Sequence, residues 1–305
     1  MAQFDQYWAA FWTLVETGEV GYKFMLPLYV GMIFLERLTH FVGHYHYDGK
    51  DAWTNVFVSS TNFVFGGLVG GVLQAAIYLW IFDHLRLFTL PHSGWGFLAV
   101  FVLHDFIYWL DHYVAHRTGL FWAFHHIHHQ SRELNFTTAA RGFILDGFLT
   151  QPLYYLLPLL GVSFPAFIAV KIITNIWGIF NHTRRVNKMG ILDEVLATPA
   201  NHRVHHGSDP KYLDRNYGQV LILWDRLFGT FQREEEEPTY GLTYDFESHN
   251  LVTIQLAGIR WLIDRMATAE RWRDKLGYLY HPPGWDHNGQ HETTETLQAR
   301  AEVVG

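Results

Sequence analysis

The sequence predicts an all-α integral membrane protein, with about four membrane helices or hairpin segments and a cytosolic helical cap that carries clustered histidines. Three observations lead there. Two long stretches lack any charge, Thr61–Phe82 and Gly147–Val170, and about 20 such residues are enough to span a bilayer. Aromatic residues make up 17% of the chain, as much as all charged residues together, and Trp and Tyr collect at membrane interfaces. Histidine reaches 20, close to the 22 Lys plus Arg.

The elements follow in order. Met1–Val20, with Trp8, Phe11, Trp12 and Leu14, reads as an interfacial amphipathic helix, and it shows no signal-peptide pattern. Residues 24–43 form a first membrane helix whose apolar run Phe24–Leu35 meets Glu36-Arg37. Residues 61–82 form the second. Their Gly66-Gly67 and Gly70-Gly71 pairs offer a surface for close helix packing. Residues 94–112 form the third, apolar over Ser93–Leu110 apart from His104 and Asp105. Residues 147–180 read as a helical hairpin interrupted by Pro152, Pro158 and Pro165. As helix it is about 51 Å long, short for two full crossings, so a shallow or re-entrant hairpin is expected. Arg233–Pro238 reads as a solvated turn. Leu251–Met266 has helical spacing and should lie on the membrane surface or on the domain, and the tail from Asn288 should fray. The chain thus divides into 1–94 (interfacial helix and membrane helices), 95–245 (the histidine-bearing domain with its hairpin) and 246–305 (amphipathic segment and polar tail).

If the first three helices each cross once, residues 113–145 and 182–305 share a side. They hold three and fourteen of the 22 Lys and Arg. The positive-inside rule places that side in the cytoplasm. A net charge of -7 argues against nucleic acid. The absence of cysteine excludes disulfides, thiolate catalysis and cysteine-held clusters.

The histidines carry the chemistry. His112 and His116 are spaced H-x-x-x-H. His125, His128 and His129, and again His202, His205 and His206, are spaced H-x-x-H-H, and His182 stands alone after the hairpin. On a helix these spacings share a face. Nine imidazoles exceed the capacity of one metal and suit two, and imidazole accepts Fe, Cu, Zn or Ni. His126 is out of phase, an orienting or surface residue. His104 and the carboxylates Asp105, Asp111 and Asp225 are candidates for a ligand or for orienting one, since ligating imidazoles commonly donate their other N–H to an oxygen. Asp193, Glu194 and Asp214 also lie near. His40, His44, His46, His84, His92, His249, His281, His287 and His291 fit no cluster.

The order H-x3-H, H-x2-H-H, apolar hairpin, lone His, H-x2-H-H resembles the membrane fatty acid hydroxylase and sterol desaturase superfamily. The resemblance covers roughly residues 95–245. It is nearest to the alkylglycerol monooxygenase-like branch, through Asp105–His116, Phe121–Ser131, Asn135–Arg141, Thr198–Gly207, Asn216–Gly218 and Trp224–Phe231. One departure is Tyr113, where the family usually has Arg after the first histidine of H-x3-H. The resemblance implies a non-haem di-iron oxygenase. It would use two iron ions, O2 and two external electrons to hydroxylate an unactivated C–H bond of a lipid. Desaturation or oxidation of a sterol or other lipid is the alternative. The nine histidines would be the metal ligands, with no further catalytic side chain. Asn135, Arg141, Trp177 and Arg184 would meet the substrate.

The electron source is expected outside this chain. His281-Pro-Pro-Gly only echoes the cytochrome b5 signature, and no dinucleotide-binding glycine motif appears. The donor would be a ferredoxin or cytochrome with its reductase, or tetrahydrobiopterin. A metal transporter or sensor is disfavoured because the clusters sit at helix ends on one side rather than at mid-membrane. A haem cytochrome would leave the H-x-x-H-H doublets unexplained.

Overall fold

The structure is a computed structural model that describes residues 13, 21–43, 47–91, 93–145 and 147–304. Apart from Thr13, the interfacial segment Met1–Val20 lies outside the described residues, as do His44, His46 and His92. The described residues are helices and loops, with two isolated β-bridges.

Helix α1 (Leu26–Gly43) follows a π-turn at Gly21–Met25. Helix α2 (Gly49–Thr61) starts where the Asp48 carboxylate accepts the Lys50 and Asp51 N–H groups, as an N-cap should. It runs through a π-helical stretch, Asn62–Gly71, into α3 (Val72–Leu85). The whole rod Gly49–Leu85 has 37 residues, about 55 Å, longer than the ~30 Å hydrocarbon layer. Its start therefore stands above the bilayer, where Thr54 and Asn55 are buried against polar loops. Helix α4 (Gly94–Arg117) begins at a Ser93 cap and carries the first histidine pair at its far end. With α1 and α7 (Phe164–Asn181), these make four helices long and apolar enough to cross a membrane.

The hairpin expectation for 147–180 is corrected in its first arm. Only the returning arm, α7, is a long helix. The first arm descends as loop, the 3-10 turn Pro152–Tyr155 and the single helical turn α6 (Leu156–Leu159). Pro152 and Pro158 each lack the N–H that a continuous helix needs, and Gly147 and Gly161 hold positive φ. The arm still travels beside α3: Gln74 donates to the Gly147 carbonyl at 2.7 Å, and the Leu87 N–H reaches the Leu159 carbonyl at 2.9 Å. The glycine pairs also differ from expectation. Gly66 faces the Ile144 carbonyl of a loop rather than a helix, and Gly67 has no described atom within 4 Å of a Cβ placed there.

The two ends of the long helices differ. Met25 packs with Phe97 and Ala169 near the start of α4 and α7. The other ends of α1, α4 and α7 converge on the histidines. Above them sit α5 (Gly119–His125), α8 (Pro199–His205), α9 (Leu223–Phe228), α10 (Leu251–Ala267), α11 (Trp272–Tyr280) and α12 (Thr294–Val304). Helix α10 packs on the domain with Ile254, Gly258 and Leu262 inward. A Cβ at Gly258 would lie 2.1 Å from the Ala123 carbonyl, so glycine there sets the closeness of α10 to α5. The tail is not frayed: α12 returns to the site, where Thr294 and Glu295 bond Asp214 and Arg117. The run at 233–238 is a mostly exposed turn, as expected, with the Glu234 side chain turned inward. Glu234 is buried against Arg203 at 2.5 Å, Glu235 and Glu236 meet Lys211, and Glu237 meets Arg184.

Candidate metal centre

The fold gathers the nine singled-out histidines into two adjoining groups. His112, His116, His125, His129 and His205 form one. His128, His182, His202 and His206 form the other. Within each, one ligand nitrogen per residue lies within 4.8 Å of the rest. H-x-x-H-H thus splits between the groups. In the first copy His125 and His129 face one group and His128 the other, while in the second copy His205 faces the first and His202 and His206 the second.

The nitrogens approach as ligands of an ion do. His112 Nε2 lies 3.0 Å from His125 Nε2, and His125 Nε2 lies 3.2 Å from His129 Nε2. In the second group His182 Nε2 lies 2.9 Å from His202 and 3.1 Å from His128. Two nitrogens bound at right angles to one ion at ~2.1 Å are ~3.0 Å apart. The opposite ring edges settle the tautomers. His112 Nδ1 donates to the Tyr217 carbonyl at 2.8 Å, His128 to Arg141 at 3.1 Å, His182 to Gly178 at 2.7 Å and His205 to Arg215 at 3.0 Å. His116 Nδ1 meets the Asp214 carboxylate at 3.2 Å. A neutral imidazole that donates from Nδ1 has only a lone pair on Nε2. Three such lone pairs point into the first group and two into the second, and His116 Nε2 and His205 Nε2 are buried without a partner. A cation satisfies that arrangement, and the residues fit one. Burial, then the neighbouring imidazoles, holds His125, His129, His202, His205 and His206 well below the ordinary histidine pKa, which keeps them neutral for binding.

One short segment orients three imidazoles of the first group. Asp214 supplies its carboxylate to His116, Arg215 its carbonyl to His205 and Tyr217 its carbonyl to His112. Asp214 and Asn216 sit at φ 56° and 57°, a left-handed conformation that Asp and Asn tolerate better than other side chains. Asp225 fixes the segment from behind. Its carboxylate accepts the Tyr217 and Gly218 N–H groups at 2.8 Å each, the Thr230 hydroxyl and the Trp109 indole N–H. Asp225 therefore reaches the histidines through backbone.

Other expected residues have different work. Asp105 accepts the Val220 and Leu221 N–H groups and the Trp224 indole, clamping the chain ahead of α9 rather than a histidine. Asp111 accepts the Leu153 N–H. His104 is fully buried two turns below His112, against Tyr154 and Phe167 rather than in either group. His126 is buried, not superficial: it bonds Tyr244 and Gln130 beneath the cluster, and burial lowers its pKa to about 3.

The four expected substrate contacts are engaged within the protein. All three Arg141 guanidinium nitrogens donate, to Ile127, Asn55 and Gln130, and so tie the loop together. Asn135 accepts from the Thr137 N–H and hydroxyl, Trp177 donates to Ala197, and Arg184 pairs with Glu133 and Glu237. Sequence reasoning missed Glu36, a buried carboxylate on α1 that accepts the Phe136 N–H at 2.7 Å and the Thr183 hydroxyl at 2.5 Å. Its signal was a charge inside a membrane helix. A cavity of ≈ 420 Å³ opens from the cap side onto His116, His129 and His205, with Trp261, Arg265 and Thr294 in its wall.

Residues 97–230 match the fatty acid hydroxylase family. Alkylglycerol monooxygenase of Danio rerio is 32% identical over 272 residues, 85% of this chain and 58% of that protein. The Homo sapiens alkylglycerol monooxygenase is 30% identical over 280 residues, 90% of this chain and 62% of that protein. Human lathosterol oxidase is 32% identical over 151 residues, 48% of this chain and 47% of that protein. The chain spans about half the length of the curated relatives it matches. No solved structure matches it. The matched stretch holds both histidine groups, so that over residues 97–230 the chain is similar to the fatty acid hydroxylase family, with alkylglycerol monooxygenases among the proteins it resembles.

Proposed function

We propose that this membrane protein is a non-haem di-iron oxygenase that hydroxylates an unactivated C–H bond of a lipid, on an acyl, alkyl-ether or similar chain, with O2 and two electrons from a separate donor. The observation that carries the reading is the convergence of unprotonated Nε2 atoms in two adjoining groups on a fatty acid hydroxylase domain. His112, His116, His125, His129 and His205 would hold one iron, and His128, His182, His202 and His206 the other. Imidazole alone does not select iron; the family supports that choice. Bound iron supplies the activation of O2 that no side chain of this protein provides. The chain's own part is to aim nine imidazoles at the two groups, exclude bulk water by burying them, and admit a substrate to their edge. The histidines stand at the membrane ends of α4 and α7, so an apolar chain reaches them from the bilayer. The Lys and Arg count supports a cytoplasmic side for that face.

The test is metal content on detergent-purified protein from iron-supplemented cells, followed by lipid-product analysis under O2. About two irons per chain, reduced in His128→Ala, together with a product one oxygen heavier, is the expected result. Metal-free protein with the fold intact would defeat the reading. The similarity to human lathosterol oxidase favours a second reading, desaturation or oxidation of a sterol or other lipid at the same site. A product that has lost two hydrogens would select it.

A further inference from the structure

Helices α10 and α11 pack inward through one face only. On the other face of α10, Val252, Leu256 and Ile263 are exposed along one stripe, and their spacing places them on a common side. On α11, Trp272, Leu276 and Tyr280 do the same at i, i+4 and i+8. Apolar stripes on both faces are out of place on a helix surrounded by water.

The height of α10 is readable from its contacts. Gln255 of α10 accepts the Ile144 N–H at 2.9 Å and donates to the Gly142 carbonyl at 3.1 Å. The Ile144 carbonyl in turn lies against Gly66. Gly66 to Leu85 is about 28 Å of helix, close to the ~30 Å hydrocarbon thickness. Gln255 therefore sits at the level where the membrane rod Gly49–Leu85 leaves the bilayer. The exposed Trp53 and Phe57 of that rod continue the apolar surface beside α10, which meets the same rod through Val58 and Ile254. Charge agrees: residues 251–280 hold five Lys and Arg against three Asp and Glu, and Lys275 lies over the Trp272 ring at 5.3 Å.

We propose that α10 and α11 lie in the headgroup layer of the bilayer, with their stripes on its acyl boundary and their basic residues on anionic headgroups. Amphipathic helices with Trp and Leu on one side and Arg and Lys beside them take that position. Trp261 and Arg265 of α10 also line the cavity that ends on His116, His129 and His205. Those two residues lie about half a turn round α10 from the stripe, so with the stripe on the lipid α10 stands between the bilayer and that cavity, which then sits at headgroup level as the route to the histidines. The route rests on the lipid-oxidising reading above; the seating of the helices does not.

The chain contains no cysteine, so single cysteines take a fluorophore uniquely. Full-length Leu256→Cys, Ile263→Cys and Trp272→Cys would be labelled and reconstituted in vesicles of phosphatidylcholine with phosphatidylglycerol. Leu68→Cys, in the membrane rod, and Val303→Cys, on the exposed tail helix, are references. The expected result is quenching by lipids spin-labelled near the headgroup at 256, 263 and 272, at least three-fold stronger than at 303, with protection from aqueous iodide. Omitting phosphatidylglycerol should weaken quenching at 272. Iodide quenching at 256 and 263 equal to that at 303 overturns the proposal. Protection that appears only at high protein-to-lipid ratio also overturns it, assigning the stripe to another protein surface. A Leu256→Glu/Ile263→Glu variant should keep its bound metal but turn over bilayer lipid about ten-fold more slowly. Unchanged turnover overturns the route. Absence of turnover in the parent chain would instead count against the oxygenase reading and leave the label result standing.

Discussion

Asp214 and His116 are joined Oδ1 to Nδ1 at 3.2 Å, whereas His112, His128, His182 and His205 give their Nδ1 protons to backbone carbonyls. The same carboxylate takes Arg117 at 3.2 Å and the Thr294 hydroxyl at 2.7 Å. Burial raises its pKa, but the His116 and Thr294 hydrogen bonds and the Arg117 charge outweigh that, and the net direction is downward. A full anion behind one imidazole makes it a stronger donor than a carbonyl does. Asp214→Asn keeps an acceptor and removes the charge. Metal affinity of the five-histidine group should fall roughly 10–100-fold, with the four-histidine group unchanged. Stepwise metal titration checks this, and two unaltered binding steps would refute it.

Asp225 shows a carboxylate acting at a distance. It holds the backbone that presents the Tyr217 carbonyl to His112, and burial raises its pKa. Asp225→Ala leaves the Tyr217 and Gly218 N–H groups without their acceptor, each costing about 1–3 kcal/mol. The variant should lose stability on that scale and bind metal poorly in the first group. Asp225→Asn should recover part of both, because its carbonyl oxygen can still accept. Thermal denaturation in detergent, beside metal titration, distinguishes this from a surface role, for which neither quantity would move.

How much of this was legible in the sequence depends on the range of the interaction. His112 and His116, or His125 and His129, announce themselves because helical spacing alone brings them together. That His125 and His128 would face different groups was not legible: it depends on the turn after α5, where His128 bonds back to His125 rather than continuing a helix. The membrane rod at 61–82 was plain from its composition, but its extension back to Gly49 depends on burying Asn55 against Thr137 and Arg141. Arg141 was expected at a headgroup, and its work as a loop clamp was not legible. Its three acceptors come from positions 55, 127 and 130, contacts that only the folded chain assembles. Asp214 was one of several nearby carboxylates until two positive-φ residues turned its segment toward the histidines.

The buried imidazoles make the metal-free protein acid-sensitive. His125, His129, His202, His205 and His206 are held below their ordinary value of 6.5, chiefly by burial. Below that pH the unfolded chain binds protons at these sites and the folded chain does not. Stability is therefore full above about pH 6.5 and falls as pH drops through it. Each group contributes at most about 1.4 kcal/mol per pH unit, and five act together. The melting temperature of metal-free protein should fall steeply between pH 7 and 5, and bound metal should move the fall to lower pH. A melting temperature flat across that range would contradict the burial of these rings.

Glu36 links a membrane helix to the second histidine group. One carboxylate oxygen accepts the Phe136 N–H from the loop whose Arg141 carbonyl orients His128, and the other accepts the hydroxyl of Thr183, next to His182. A carboxylate among apolar helix residues is retained only where it has partners, and these partners belong to the site. Glu36→Ala leaves both donors without an acceptor, at about 1–3 kcal/mol each, and frees α1 from the loops that carry His128 and His182. Metal affinity should fall mainly in the four-histidine group, the reverse of the Asp214→Asn pattern. Glu36→Gln keeps one acceptor and should fall between alanine and the parent. Equal loss from both groups in Glu36→Ala would mean that the residue supports the bundle as a whole and not the second group.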